Sequence, residues 1–318
     1  MRNLLDPAVL CFVLGLTAGL ARSDLRLPRA LYETLSVYLL LSIGLKGGVE
    51  LARSEIGDIL LPLVGTLALG LAIPLVAYLI LRGLGRMDRP NSAAIAAHYG
   101  SVSAVTFAIV LEYLRQSGTP FEDYSAVLLV ILEIPAIGVG ILLARRGRTT
   151  TGVGWAGIWR ELFLGKSVFL LLGGLVIGAV SRPETIASVS PLFFDLFKGA
   201  LALFLLEMGL VASQRLAEVR SVGAFLLGFG LGMPLVSAGM GIGVALLVGL
   251  SPGGTAVLAT LAASASYIAA PAAMRIAVPE ANPALYLTAS LGITFPFNVI
   301  VGVPLYEWAS RVAHQIGG

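Results

Sequence analysis

Two very apolar segments of the sequence are each interrupted by a cluster of hydroxyl side chains, which are the groups best suited to bind a ligand. The segments are residues 94–110 and 259–274, and they begin 165 residues apart. The hydroxyl residues are Ser101, Ser103, Thr106, Ser264, Ser266 and Tyr267. Hydroxyl groups donate hydrogen bonds to anions through their O–H, and their oxygens also coordinate small cations. The two clusters therefore indicate a binding site for small ions.

The elements that must position these hydroxyls are membrane-spanning helices. The 318-residue chain is 57% hydrophobic and 12% charged, whereas a soluble domain has about 25% charged residues. This composition predicts an all-α integral protein of the cytoplasmic (inner) membrane, embedded in the lipid bilayer, rather than an enzyme or a nucleic-acid-binding protein. The sequence has no Walker A motif for direct use of ATP. Cys11 is the only cysteine, so no internal disulfide can form.

Hydropathy over windows of about 19 residues predicts ten spans. They lie at about residues 7–22, 32–52, 57–83, 91–114, 124–145, 162–181, 191–213, 220–250, 254–278 and 284–310. We interpret the first as a retained helix rather than a cleaved signal peptide. Of the 21 Lys and Arg residues, 14 lie in or beside the loops that follow odd-numbered spans. Because loops rich in Lys and Arg stay in the cytoplasm, these loops are predicted to be cytoplasmic and both termini to lie outside.

The first half of the chain, residues 1–145, resembles the second half, residues 162–318, across a short cytoplasmic linker at 146–161. An offset of 165 residues aligns LSIGLKGGVELA at 41–52 with LEMGLVASQRLA at 206–217. Each half holds five spans, an odd number, so the halves must have opposite orientations in the membrane. The sequence therefore predicts a five-plus-five inverted repeat, typical of secondary transporters. A chance alignment of apolar sequences is the alternative.

Each hydroxyl cluster predicts a break in its helix, in spans 4 and 9. Gly100 and the serines favour departure from helical geometry in span 4, and Pro271 removes a backbone donor in span 9. The second part of a broken helix begins with free N–H groups that suit an anion, and the first part ends in carbonyls that suit sodium. Two crossed breaks thus predict a site for an anion and a cation. Alternatively, the small residues only allow close packing.

The predicted substrate site combines backbone donors with hydroxyls. Its residues are Gly100, Ser101, Val102, Ser103, Ala104, Thr106, Ser264, Ser266, Tyr267, Ile268 and Ala269, with Val105 and Ala270 as further backbone donors. The predicted sodium ligands are Ser101, Ser264, Glu133 and Asn298. Glu133, in the middle of span 5, either ligates sodium or hydrogen-bonds to nearby backbone. Neither break contains Lys or Arg, which favours a small, weakly charged anion over a dicarboxylate.

Other ionisable side chains within the predicted spans have two interpretations each. Lys46 with Glu50, and Lys198 with Glu207, either form gating or scaffold pairs or extend toward the membrane interface. His98 is either a proton relay or a packed, hydrogen-bonded side chain. The chain has only two histidines, so a histidine metal site is not expected and sodium is the only metal ion predicted.

Three segments resemble the sodium-dependent bicarbonate transporter family typified by cyanobacteria. They are SIGLKGGVEL at 42–51, AAHYGSVSAVTF at 96–107 and ASASYIAAPAAMR at 263–275. The resemblance covers nearly the whole chain. It implies a homotrimer with a gate domain of spans 1, 2, 6 and 7, and a core domain of spans 3–5 and 8–10 that moves as an elevator. It also implies that bicarbonate and sodium bind where residues 100–106 cross residues 264–270.

The linker between the halves departs from the family pattern. Cyanobacterial members have a longer linker than residues 146–161, and a PII-like regulatory protein docks on their cytoplasmic face. The resemblance implies such a partner for this chain, and the short linker argues against it.

The residues and the resemblance together predict a secondary active transporter, a sodium-coupled bicarbonate symporter. A sodium-coupled transporter of another small organic anion, such as a monocarboxylate, is an alternative with the same fold. A cation/proton antiporter also uses crossed breaks, but it usually has paired carboxylates beside them, and the two breaks here contain none. A channel or a non-transporting membrane sensor is a further alternative, although the duplicated breaks favour alternating access.

Overall fold

The computed structural model describes residues 6–146, 157, 160 and 163–317, and the regular structure of these parts is helical. The helices are α1 Pro7–Leu20, α2 Arg29–Leu51, α3 Ile56–Gly83, α4 Arg89–Gly100, α5 Ala104–Ser117, α6 Ser125–Arg145, α7 Lys166–Val180, α8 Pro183–Ser190, α9 Phe197–Leu247, α10 Pro252–Ala263, α11 Ala269–Ala277, α12 Pro283–Leu287, α13 Phe295–Phe297 and α14 Val303–Gly317. Short π-helical turns lie at Pro191–Asp195, Thr288–Thr294 and Asn298–Gly302. Most of the predicted linker lies outside the described residues.

Many of these helices can cross a membrane, as the composition predicts. Within the described ranges, seven stretches are long and apolar enough. They are Arg29–Leu51, Gly57–Gly83, Arg89–Ser117, Ser125–Arg145, Pro183–Leu216, Gly223–Leu247 and Pro283–Ile316. Three other predicted spans coincide with shorter apolar helices, α1, α7 and α10. The chain is therefore an all-helical, multi-pass membrane protein, and the count of ten spans stays a prediction.

The seventh and eighth predicted spans differ from the structure at their boundaries. The predicted start at residue 191 is too late, because the span runs through Pro183–Leu216. The loop expected between residues 213 and 220 is helical, and α9 continues from Phe197 to Leu247. The sequence QRLAEVRSV at 214–222 contains neither Gly nor Pro, so nothing in it stops a helix. The direction changes only at Gly223, whose φ of 82° is open to glycine.

Glycines allow two close helix crossings that interlock the halves of the chain. Gly15 of α1 and Gly209 of α9 each face the backbone of the other helix. Gly44 of α2 faces Gly174 of α7, and Gly178, one turn later, faces the α2 backbone again. Lipid offers helices no hydrophobic reason to associate, so close van der Waals contact of this kind holds them together. In each crossing, a short helix from one half lies against a long helix from the other.

The helices that carry the hydroxyl clusters lie in the interior of the protein. All residues of α4 from Ser92 to Gly100, and all residues of α10 from Gly253 to Ala263, are buried. A helix that is apolar on every side is surrounded either by other helices or by lipid. The neighbours of α4 are α3 and α6, and those of α10 include α9, α5 and α14. The two breaks are therefore enclosed by protein rather than by lipid.

We expect Gly174→Ala to destabilise the protein, because the new Cβ would lie 2.8 Å from the Cα of Gly44. The loss should be about 1–3 kcal/mol, as for other overpacked contacts, and should lower the midpoint of thermal unfolding in detergent. Gly173→Ala is the matched control, since nothing lies within 4 Å of its added Cβ and alanine favours the helix. Equal midpoints in the two variants would show that the crossing does not hold the bundle together.

Candidate functional site

Both predicted interruptions are present as breaks between two helices. The first lies between α4 and α5, at residues 101–103, and the second between α10 and α11, at residues 264–268. The backbone turns to extended geometry at the first residue of each break, with φ and ψ of −88° and 177° at Ser101 and −79° and 167° at Ser264. The helices end at these serines, as the sequence predicts, because serine side chains offer the backbone hydrogen bonds that compete with the helix.

The two breaks follow helices of the same construction. Both α4 and α10 have 12 residues, and each begins with a side-chain cap: Asp88 accepts from Asn91 N–H at 2.9 Å, and Ser251 accepts from Gly254 N–H at 3.1 Å. The last residues of α4 and α10 are 163 positions apart in the sequence, whereas the first residues of α5 and α11 are 165 positions apart. The second break is therefore two residues longer. Ser101 occupies the position of Ser264 rather than that of Ser266.

The breaks bond to each other across the crossing. Ser266 N–H donates to the carbonyl of His98 near the end of α4, at 2.8 Å. Ser103 N–H donates to Ser264 Oγ at 3.0 Å, and Ser103 Oγ donates to the Tyr267 hydroxyl at 3.1 Å. Each break thus supplies partners for polar groups that the other leaves without a helical partner. The structure brings together four of the predicted hydroxyls, since Thr106 Oγ1 also donates to Ser103 Oγ at 3.0 Å.

Two predicted hydroxyls bond outside this cluster. Ser101 Oγ donates to the backbone carbonyl of Glu133 on α6, at 3.2 Å. Ser266 Oγ accepts from Ala270 N–H at 3.1 Å and so caps the start of α11. Their role in binding a ligand stays a prediction. Because side-chain direction at a break depends on the local backbone, the sequence alone did not distinguish these serines from Ser103 and Ser264.

The starts of the second half-helices supply anion-binding groups. Ser103 Oγ accepts from Thr106 N–H at 3.1 Å, which is an N-cap. Within the described parts of the chain, the N–H groups of Ala104 and Val105 have no hydrogen-bond acceptor. Ala104 and Val105 line the same small space as Ile268 from the second break. That space is lined by apolar atoms, so the free N–H groups do not open into it. They lie at the start of α5, the positive end of its helix dipole, and neither break contains Lys or Arg.

The predicted sodium ligands differ in how many partners they already have. The Asn298 amide donates to the carbonyl of Ala263 at 2.9 Å, and its oxygen accepts from the Tyr306 hydroxyl at 2.8 Å. Asn298 therefore braces the end of α10. The Glu133 carboxylate is buried, and its Oε2 has no hydrogen-bond partner among the described residues. A buried carboxylate without a partner is costly in a membrane, so Glu133 has the capacity to bind a cation.

His98 has the geometry of a packed side chain. Its Nδ1 lies 2.7 Å from the carbonyl of Ala94 and, with the proton assigned to Nδ1, donates to it. Its ring stacks on Tyr286 with centroids 4.4 Å apart. The packing interpretation accounts for both contacts without a proton relay. The neighbouring pair Tyr99 and Thr294, whose hydroxyls lie 2.7 Å apart, was not predicted, because the two residues are 195 positions apart in the chain.

Charged residues near one end of the breaks pair differently from the sequence prediction. Lys198 forms ion pairs with Asp6 at 3.2 Å and with Glu112 at 2.8 Å, rather than with Glu207. Sequence spacing did not reveal these partners, because they belong to other helices. Lys46 and Glu50 are four residues apart, but they do not form an ion pair: within the described ranges, Lys46 Nζ has no carboxylate oxygen within 4.0 Å.

An apolar contact lies over the starts of α5 and α11 and between two cavities. Side chains from α2 and α9 meet the starts of α5 and α11 there. The contact is made by Leu39, Leu40, Ile43 and Phe204 against Ala104, Val105, Ala108 and Ile268. One cavity of about 240 Å³ is lined by Lys46 and Arg115, and one of about 230 Å³ is lined by Lys166 and Ala269. The predicted site is thus closed off between two cavities.

Comparison with known protein families identifies the chain. Residues 7–311 match the family described as the Na⁺-dependent bicarbonate transporter superfamily. The chain belongs to this superfamily. The match spans both breaks, Glu133 and Asn298. No individual curated protein matches the chain. Membership in a transporter superfamily agrees with the multi-pass helical structure and gives no support to an enzymatic role.

We expect Ser103→Ala to destabilise the crossing, because Ser103 Oγ caps α5 and also bonds to Tyr267. The expected loss is about 1–2 kcal/mol, measured by thermal unfolding of the purified protein. Ser117→Ala, at the exposed end of the same helix, is the matched control: its Oγ donates to the Leu114 carbonyl and lies 3.1 Å from the Thr119 hydroxyl. If both variants unfold at the same temperature, the Ser103 network contributes nothing to stability.

Proposed function

We propose that the protein is a sodium-coupled bicarbonate symporter. The observation that carries this proposal is the pair of N–H groups, at Ala104 and Val105, that have no acceptor among the described residues and lie at the positive start of α5 beside the second break, with no Lys or Arg in either break. Superfamily membership supports both the anion and the cation. The inward sodium gradient would drive uptake of an anion that the negative cell interior repels.

The chemistry of the crossing suits bicarbonate. This anion has oxygens that accept hydrogen bonds and one hydroxyl that donates a hydrogen bond. Ala104 and Val105 offer donors, and Ser103 and Tyr267 offer hydroxyls that can do either. A single delocalised charge is adequately stabilised by helix dipoles in a water-excluded site. Nothing in the described structure favours a larger organic anion at this position.

Sodium requires oxygen ligands, and the break next to α6 provides them. Glu133 contributes a carboxylate oxygen that has no hydrogen-bond partner in the described part of the chain, and Ser101 bonds to the backbone of the same residue. We infer that Glu133 and Ser101 form the core of the sodium site, with Ser264 and Asn298 holding the end of α10 in place. A cation at Glu133 would balance the buried charge and strengthen anion binding at the neighbouring helix starts.

We further propose that transport uses an elevator motion within an inverted repeat of ten spans. The gate domain would consist of α1, α2, α7, α8 and the first part of α9; one glycine crossing joins α1 to α9 and the other joins α2 to α7. The core domain would carry both breaks. The apolar contact between Leu39, Phe204 and the helix starts is a surface over which such a core can slide. A homotrimer and a PII-like partner rest on the family alone.

The direct test is uptake of labelled bicarbonate into proteoliposomes. We expect uptake that saturates, needs an inward sodium gradient and stops when potassium replaces sodium. Glu133→Gln should raise the sodium concentration for half-maximal uptake by about tenfold or more, since it removes a charged ligand.

Glu55→Gln is the matched control for this assay, because Glu55 is an exposed carboxylate at the start of α3. It should keep the wild-type response to sodium. Uptake that ignores sodium would refute the symport, and an unchanged response in Glu133→Gln would remove Glu133 from the sodium site.

The elevator motion predicts that joining the gate to the core stops transport. Glu112 lies on α5 in the proposed core, and Lys198 lies in the proposed gate. Lys198 Nζ and Glu112 Oε1 are 2.8 Å apart. After Cys11 is replaced by Ala, a short thiol cross-linker between Glu112→Cys and Lys198→Cys should abolish uptake. The motion would have to separate these two residues, and the linked pair cannot separate.

The control joins Lys198→Cys to Asp6→Cys, which pair at 3.2 Å. Asp6 precedes α1, so both residues belong to the proposed gate, and this cross-link should leave uptake largely intact. If the Glu112 cross-link also left uptake intact, a rigid gate and a moving core would be the wrong division of the molecule.

A further inference from the structure

The cavity of about 240 Å³, here called the Lys46 cavity, lies apart from the crossed breaks. It is bounded by α2 and residues 193–198 on one side and by α5 on the other. Its lining includes Ser42, Ile43, Lys46, Glu50, Phe107, Ala108, Glu112, Arg115, Phe193, Phe194, Phe197 and Lys198. Ile43 and Ala108 also belong to the apolar contact that closes the breaks. The cavity therefore ends at this contact and does not include the predicted site.

Two cations in the Lys46 cavity have no carboxylate partner. In the described part of the chain, neither Lys46 nor Arg115 has an acidic oxygen within 4.0 Å. Lys46 Nζ lies 6.0 Å from the centre of the Phe194 ring, and Arg115 lies 5.5 Å from that of Phe121. Lys198 differs, because Asp6 and Glu112 neutralise it. Glu50 and Glu112 line the same cavity and offset part of this positive charge, but neither forms a direct ion pair with Lys46 or Arg115, so both cations stay available to one anion.

Four phenylalanines also line the cavity. Phe193, Phe194 and Phe197 come from one side of the cavity and Phe107 from the other. A bicarbonate ion has no apolar part to contact these rings and would leave most of the space to water. Ligand pockets of this kind, apolar with a few charged groups, bind molecules that have an apolar body and a polar end. Glu50 and Glu112 would repel a second negative charge.

We propose that the Lys46 cavity is a second binding site, for an organic monocarboxylate with an apolar body. The carboxylate binds between Lys46 and Arg115, and the body packs among the phenylalanines. Such a ligand touches α2 and α5 at once and so holds them in this arrangement. Insofar as the proposed elevator motion is correct, the ligand inhibits transport without competing for the crossed breaks.

Binding is tested on the purified protein with benzoate as the probe, by calorimetric titration and by the shift in unfolding temperature. Acetate carries the charge without the ring, and benzamide carries the ring without the charge. We expect benzoate to bind, and acetate and benzamide to bind at least about tenfold more weakly. Lys46→Gln should weaken benzoate binding about tenfold or more, and Arg53→Gln, an exposed residue just beyond α2, should not.

Each departure from this pattern has a distinct meaning. Equal binding of acetate or of benzamide, or full binding by Lys46→Gln, would overturn the proposed site. If Lys46→Gln lowers the unfolding temperature of the protein, the binding measurement is made on Arg115→Gln instead, and that variant must show the same loss of benzoate binding. Binding of benzoate to a protein that transports no bicarbonate would refute the proposed function and leave this site standing. Bicarbonate uptake that benzoate fails to inhibit, despite its binding, would refute the inhibition alone.

Discussion

The structure depends on the rule that backbone polar groups inside a membrane need hydrogen-bond partners. A broken helix violates this rule on its own, because each break leaves N–H and carbonyl groups without helical partners. Here each break supplies hydrogen-bond partners to the other: the His98 carbonyl accepts from Ser266 N–H, and Ser264 Oγ accepts from Ser103 N–H. The two interruptions are stable as a pair. The N–H groups that remain, at Ala104 and Val105, are those the proposed anion would use.

This constraint accounts for much of the surrounding packing. The crossing must be kept from lipid, so α4 and α10 are buried along nearly their whole length and are rich in alanine, which lets neighbours approach. The helices that surround the crossing hold its ends: α6 receives Ser101, and Asn298 binds the last carbonyl of α10. Elsewhere in the protein, glycines let α1 pack closely against α9 and α2 against α7.

The position of the breaks was predictable from sequence, because Gly100 and the serines act locally on the backbone. The expectation that Pro271 breaks the helix was wrong: Pro271 lies in the first turn of α11, where its missing N–H has no helical acceptor to lose. The roles of individual hydroxyls were not predictable. A constant offset of 165 paired Ser101 with Ser266, and the two extra residues of the second break show only in three dimensions. The partners of Lys198 were hidden for a related reason, since ion pairs between helices depend on packing. Sequence also gave no stop signal in the region of α9 where a loop was expected.

We propose that backbone N–H groups at the crossing hold the transported anion, with sodium beside Glu133. An experimental structure determined with bicarbonate and sodium present, compared with one determined without either ion, tests this directly. We expect density for a small anion within hydrogen-bond distance of Ala104 and Val105, and a cation near Glu133. Anion density only at Lys or Arg side chains, with the crossing unchanged between the two structures, would contradict it.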